Sequence, residues 1–141
     1  MEPIQLGFEQ SRTLLDAYDI PVLGRMIRTL KQAKQAAKDL GFPVAMKTVS
    51  SQIIHKTDLG CVLLGLQNEA ELEAGYAQLM KNVHAAGITE IDGILIQPMV
   101  KSGLEVLIGA TQDPSFGPMT MIGSGGRFVE LMGDVAPGIG I

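Results

Sequence analysis

At 141 residues the chain can bury the core of about one ordinary domain. A net charge of −4 gives no overall basic field and argues against nucleic acid as a partner, and the single cysteine excludes an internal disulfide and fits a reducing compartment. The first twenty residues contain no apolar signal segment, and no run approaches the ~18 apolar residues that a membrane span needs. We therefore expect a soluble, cytoplasmic protein with no membrane contact.

The first two thirds of the chain alternate between predicted helices and strands. The helices are predicted at residues 9–18, 29–40 and 68–87, and the strands at 44–49, 61–66 and 93–99. Thr29 with Gln32 predicts a capping box for the second helix, and Asn68 with Glu71 predicts one for the third. Five basic residues spaced by three and four between Arg25 and Lys38 are assigned to the second helix, where a solvated face explains them best.

The pattern changes after Pro98. Apolar β runs at residues 104–111 and 119–122 are separated by a turn-rich connection of hairpin type, and a third short run covers residues 127–132. The glycine cluster at residues 123–126 lacks the GxGxxG spacing, so we interpret it as a turn or bulge that needs positive φ. We expect a mixed lobe at residues 1–98 and a mainly antiparallel lobe at residues 99–141.

One hairpin carries residues suited to phosphate chemistry. Lys47 lies in the first clear strand, and the loop after it, residues 50–60, carries His55. A lysine on a buried strand supplies a point charge for a polyphosphate, and the loop supplies hydrogen-bond donors and an imidazole. Taken singly, however, such a lysine is usually a surface residue and such a histidine is usually solvated. Only their combination predicts a phosphate-handling hairpin.

Six motifs, in order, resemble one family. The chain is similar to the ATP-grasp part of the ADP-forming acyl-CoA (acetyl-CoA) synthetases, either as a β subunit or as the equivalent domain of the fused enzyme. The motifs are residues 42–50 (FPVAMKTVS), 55–60 (HKTDLG), 93–100 (GILIQPMV), 105–109 (EVLIG), 113–118 (DPSFGP) and 123–126 (GSGG), the last followed by 129–131 (VEL).

The resemblance implies an α+β, ATP-grasp-like fold: a small mixed α/β lobe with a leading helix, then the start of an antiparallel sheet lobe. It also implies roles for single residues. Lys47 matches the lysine that contacts the nucleotide phosphates, Gln97 to Val100 match the hinge that reads adenine, and Met99 and Val100 cover the face of the base. Glu105 matches an acidic residue that holds the ribose. His55 matches the histidine that takes a phosphoryl group from a phosphohistidine and passes it to ADP.

The implied activity is acyl-CoA + ADP + phosphate ⇌ acid + CoA + ATP, carried out with a CoA-binding and ligase subunit or domain. Its cofactors are ATP or ADP and Mg²⁺, whose ligands in the family lie beyond the residues matched here, so we expect the chain alone to lack turnover. It departs from the family at Gly60-Cys61, where paired glycines are usual.

Two other functions stay open: a nucleotide-binding module that regulates or scaffolds a partner, and the synthetase-like region of a protein acetyltransferase. We also expect a homo-oligomer, because the antiparallel lobe would leave an apolar face uncovered.

Overall fold

The computed structural model describes residues 6–50, 59–101, 103–125 and 135–139, the last of these as backbone only. The chain divides into two compact units, the first ending at Val100 and the second beginning at Lys101. In the described residues the elements of the first unit are α1 (Phe8–Asp16), β1 (Arg25–Ile27), α2 (Leu30–Leu40), β2 (Val44–Val49), β3 (Val62–Leu66), α3 (Glu69–Ala85) and β4 (Gly93–Pro98). Those of the second unit are β5 (Val106–Asp113), β6 (Gly117–Ser124) and β7 (Val135–Ile139).

The second and third helices begin where their caps predict. Thr29 Oγ1 accepts a hydrogen bond from Gln32 N at 3.3 Å, and the Gln32 side chain bonds back to Thr29 N. Asn68 Oδ1 accepts one from Glu71 N at 3.0 Å. Each cap satisfies an N–H group that the first helical turn leaves without a partner.

The assignment of Arg25 and Arg28 to the second helix is wrong. Arg25 lies in β1, and Arg28 precedes the cap at Thr29, so α2 carries only the later basic residues. Strand β1 pairs antiparallel with β4, which lies far along the sequence, and a three-residue strand depends on that pairing. Local periodicity therefore gave no sign of it.

The first sheet has the strand order β1-β4-β2-β3, and all its neighbours are antiparallel. Helices α2 and α3 pack against one face of this sheet. The core there is built from apolar side chains: Ala33, Ala36 and Ala37 of α2, Leu72, Leu79 and Val83 of α3, and Val44, Met46, Ile94 and Ile96 of the strands. Thr48 is also fully buried, and its Oγ1 has no hydrogen-bond partner among the described residues.

The second unit is a three-stranded antiparallel sheet of order β5-β6-β7. Leu104, Ile108 and Phe116 of this unit are exposed. Gly125 N donates to Glu105 O at 2.8 Å, and a Cβ on Gly125 would lie 3.0 Å from the Glu105 carbonyl carbon. The prediction of a turn or bulge with positive φ is wrong for Gly123, which lies in β6, and for Gly125, where the glycine instead permits a close backbone approach.

The predicted run at residues 127–132 lies outside the described residues. Strand β7 follows it and was not predicted. Within the described parts of the chain, no helix combines the length and apolar character needed to cross a membrane.

Candidate functional site

Strand alternation separates Lys47 from the hydrophobic core. Its neighbours Met46 and Thr48 are fully buried on the side of the sheet that α2 and α3 cover, so Lys47 belongs to the opposite side. Lys47 lies opposite Leu95 across the β2–β4 ladder, and Ala45 lies opposite Gln97. Directly opposite residues share a face, so these four residues form one surface, which we call the lysine face. Lys47 and Gln97 are diagonal neighbours on it, at a spacing of about 7–8 Å.

The Lys47 side chain is partly buried. Ion pairs among the described residues involve Arg12 and Lys34, and none involves Lys47. A partly buried ammonium group without a carboxylate beside it favours an anion supplied from outside. Among the described residues, the surroundings of Lys47 are therefore compatible with a phosphate ligand.

The Gln97 side chain is held by the segment that precedes β1. Its Nε2 donates to Leu23 O at 3.0 Å. Gly24 has a φ of +124°, and a Cβ there would lie 2.9 Å from Gln97 Cγ. The segment around Gly24 thus packs against the same face that carries Lys47, and only glycine allows this approach.

The two residues that follow β4 present apolar side chains to solvent. Met99 is 39% exposed and Val100 is 74% exposed, which suits them to cover an aromatic ring. The Met99 N–H already donates to Pro43 O at 3.0 Å, so it is not available to a ligand. The prediction that this hinge reads adenine therefore rests on its other backbone groups.

The two remaining candidates differ in what the structure describes. Glu105 is an exposed residue of the second unit, just before β5. His55 lies outside the described residues. The ends of its loop are described, and both are attached to other elements. Ser50 Oγ donates to Glu90 O at 3.2 Å, and Gly60 O accepts from Asn82 Nδ2 at 2.8 Å.

A groove of about 370 Å³ lies elsewhere, on the outer side of α2. It is lined by Leu30, Lys31, Lys34, Gln35, Lys38 and Glu69, and it contains none of the candidate residues. Lys34 Nζ lies 2.8 Å from Glu73 Oε2 and 3.2 Å from Glu69 Oε1. The hydrogen bond to Glu73 has the larger effect and the one to Glu69 the smaller, and together they raise the pKa of Lys34 above its usual value of 10.5. Lys34 is already paired, so we assign the groove a structural role and place the candidate site on the lysine face.

The described residues offer no ready metal site. Within them, no group of three or more His, Cys, Asp or Glu side chains lies together in a way that could hold a metal ion. The lysine face fits a phosphate but supplies no carboxylate for Mg²⁺, so we derive no step through a metal ion.

The ATP-grasp domain family model matches residues 4–140. The chain is 41% identical over 128 residues to the acetate–CoA ligase (ADP-forming) II subunit beta of Pyrococcus furiosus, covering 89% of this chain and 54% of the relative. It is also 41% identical over 129 residues to the 4-hydroxybutyrate–CoA ligase (ADP-forming) of Nitrosopumilus maritimus, covering 90% of this chain and 18% of the relative. The chain thus spans about half of the first relative and about a fifth of the second.

Among solved structures, the chain is similar to the acetyl-coenzyme A synthetase 1 of Ca. Korarchaeum cryptofilum in complex with coenzyme A, Ca-AMPCP and HgCl⁺. The TM-score is 0.83 at 38% identity, and the match covers 95% of this chain and 59% of the other. The same enzyme with Mg-AMPPCP has a TM-score of 0.74 at 34% identity, covering 95% and 56%. These matches confirm the resemblance to the ADP-forming acyl-CoA synthetases and the mixed fold with antiparallel sheets, and the chain belongs to the ATP-grasp family.

Proposed function

We propose that this chain is the nucleotide-binding ATP-grasp portion of an ADP-forming acyl-CoA synthetase. It works in acyl-CoA + ADP + phosphate ⇌ acid + CoA + ATP, together with a CoA-binding and ligase subunit or domain. The observation that carries the proposal is the partly buried Lys47, which has no carboxylate partner in the described residues and lies on the sheet face away from the helices. The relatives named above support the choice of reaction.

In this proposal Lys47 binds the nucleotide phosphates, because a compact ammonium group neutralises their charge without requiring bidentate geometry. Met99 and Val100 cover the face of the adenine, the backbone from Gln97 to Val100 reads its edge, and Glu105 binds the ribose. The exposed apolar side chains that follow β4 support the first of these assignments.

His55 is the proposed phosphoryl carrier. The N–P bond of a phosphohistidine on the partner breaks as a new N–P bond forms on the His55 imidazole. That bond then breaks as an ADP β-phosphate oxygen attacks phosphorus, giving ATP and neutral His55. Such a transfer suits an imidazole, which is a good nucleophile at neutral pH. The Korarchaeum enzyme supports a phosphohistidine as the donor, because one of its structures has a phosphohistidine segment pointing towards the nucleotide binding site.

Calorimetric titration with ADP and Mg²⁺ tests the nucleotide site. We expect weak binding by the 141-residue chain, since it spans about half of its beta-subunit relative, and loss of that binding in Lys47→Gln. The matched control is Lys38→Gln, an exposed lysine on the outer side of α2. Equal affinity for ADP in Lys47→Gln and Lys38→Gln would refute the proposed site. Micromolar or tighter binding of ADP by the wild-type chain would show that the prediction of weak binding is wrong.

Phosphate labelling tests the role of His55. In a complex reconstituted with a CoA-binding partner, we expect acid-labile, base-stable phosphate on this chain, and we expect none in His55→Ala. The chain has two histidines, so His84→Ala on the exposed side of α3 is the control and should keep the label. A wild-type level of label in His55→Ala would rule out the carrier role.

A further inference from the structure

One side chain of α3 holds the start of β3. Asn82 Nδ2 donates to Gly60 O at 2.8 Å, across 22 residues of sequence, and both residues are partly buried. Gln78 Nε2, one helical turn earlier, donates to Asn82 Oδ1 at 2.8 Å. Because the oxygen of the Asn82 amide is occupied in this way, its NH₂ group is directed at Gly60.

Gly60 is adapted to this contact. Its φ is +63°, in the left-handed region, and a Cβ there would lie 2.6 Å from Asn82 Nδ2. A side chain at this position would both strain the backbone and displace the amide. The glycine and the asparagine therefore act as one unit, which we call the Gly60–Asn82 anchor.

The anchor is only two residues from the ladder partner of Lys47. Cys61, which follows Gly60, is fully buried, and its carbonyl accepts a hydrogen bond from Thr48 N at 2.9 Å. Val62 then lies directly opposite Lys47. Fixing Gly60 thus fixes the register in which β3 pairs with β2 around Lys47.

Register is critical here because β3 supplies the residue directly opposite Lys47 on the other side of β2 from β4. A slip of β3 by one residue would exchange its two faces and move Val62 away from Lys47. The other end of the loop is also fixed, since Asp92 N donates to Val49 O at 2.8 Å. Both ends of the β2–β3 connection are thus tied to α3 or to the segment between α3 and β4.

From this geometry we infer that Asn82 is a positioning residue for nucleotide binding. Through Gly60 and β3 it holds Lys47 in place for the phosphates. The inference rests on the proposed function. Asn82 touches no ligand in this arrangement, and its effect reaches the nucleotide through the backbone.

Competitive acetylation tests the inference. The wild-type chain is treated with acetic anhydride at increasing ADP and Mg²⁺, and modification of Lys47 is read by mass spectrometry, which also detects weak binding. We expect ADP to protect Lys47. In Asn82→Ala the half-protecting concentration should rise between about twofold and about tenfold, the range that corresponds to one net hydrogen bond. Gly60→Ala should have the same effect by an independent route.

The control is Asn68→Ala. This change removes an asparagine from the start of the same helix and lowers stability through a lost cap, but it leaves Gly60 untouched. Protection of Lys47 should stay at its wild-type level. Equal loss of protection in Asn82→Ala and Asn68→Ala would overturn the positioning role, since both would then act through stability alone.

Hydrogen exchange separates failure of this inference from failure of the proposed function. If ADP does not protect Lys47 in the wild-type chain, the nucleotide site is wrong, and the positioning role falls with it. If protection is present, the Thr48 amide should exchange faster in Asn82→Ala than in Asn68→Ala. Unchanged exchange at Thr48 would show that the anchor does not hold the β2–β3 register.

Discussion

Gly24→Ala should destabilise the first unit by more than an ordinary glycine substitution, because two costs act at this position. The backbone has a φ of +124°, which L side chains rarely adopt, and strain of this kind costs about 1–3 kcal/mol. The new Cβ would also lie 2.9 Å from Gln97 Cγ, 3.0 Å from Leu95 Cδ1 and 3.0 Å from Ile96 O. The carbonyl belongs to a paired strand, so crowding adds about 1–3 kcal/mol. Alanine also lowers the conformational entropy of the unfolded chain, which offsets about 0.4–1 kcal/mol of this destabilisation.

The expected net loss is about 1–5.5 kcal/mol of unfolding free energy. Gly41→Ala separates the two terms. Gly41 ends α2 at a φ of +82°, and a Cβ there would meet no atom within 4 Å, so only the backbone term applies. The difference between the two variants should therefore be about 1–3 kcal/mol, which is the crowding on the lysine face.

Urea denaturation followed by circular dichroism measures both losses. The midpoint should fall further for Gly24→Ala than for Gly41→Ala, with similar slopes. If Gly24→Ala loses no more stability than Gly41→Ala, the segment before β1 does not pack against Gln97 as described. That segment would then not hold the Gln97 side chain.

Three further predictions use other positions. Thr48→Val should raise the free energy of unfolding in urea by about 1–2 kcal/mol, because it removes a buried hydroxyl group that has no partner in the described residues; a loss of stability would contradict this. Because the pKa of Lys34 is raised in the folded chain, the stabilisation from its ion pairs is fully present below pH 10.5. It is lost as the pH rises through the higher pKa of the folded state. Urea titrations across that range should show this loss in the wild type and not in Lys34→Met, and a parallel decline in both would contradict it. Ile108 and Phe116 are 67% and 63% exposed, so we expect concentration-dependent self-association in analytical ultracentrifugation, weakened by Ile108→Lys; a monomer at all concentrations would refute this.

The sequence predicted what depends on near neighbours. The caps at Thr29 and Asn68 were predictable because each is a contact over three residues. The main strands were equally clear, because their apolar runs are bounded by turn residues. The resemblance to the ATP-grasp family, confirmed by the comparisons, rested on motifs that are each local in sequence.

What the sequence did not predict depends on distant partners. Strand β1 is three residues long and exists through its pairing with β4. The Asn82 contact to Gly60 joins residues that are 22 apart, and Asn82 resembles any polar residue on a helix surface. The glycine at position 60 was the sequence signal that could have pointed to a special backbone conformation, but a glycine names no partner. The roles of His55 and Glu105 stay predictions.

The two-sided character of β2 has a consequence for how this chain can change over time. The side chains at even-numbered positions of the strand face the core, and those at odd-numbered positions belong to the lysine face. The two sets alternate along the strand. A saturation library over residues 44–49 should therefore tolerate only small or apolar residues at the buried positions 44, 45 and 46 and be most permissive for folding at 47. Lys47 and the buried positions are thus interleaved within the same six residues, so a substitution at 47 can leave the core contacts of its neighbours unchanged.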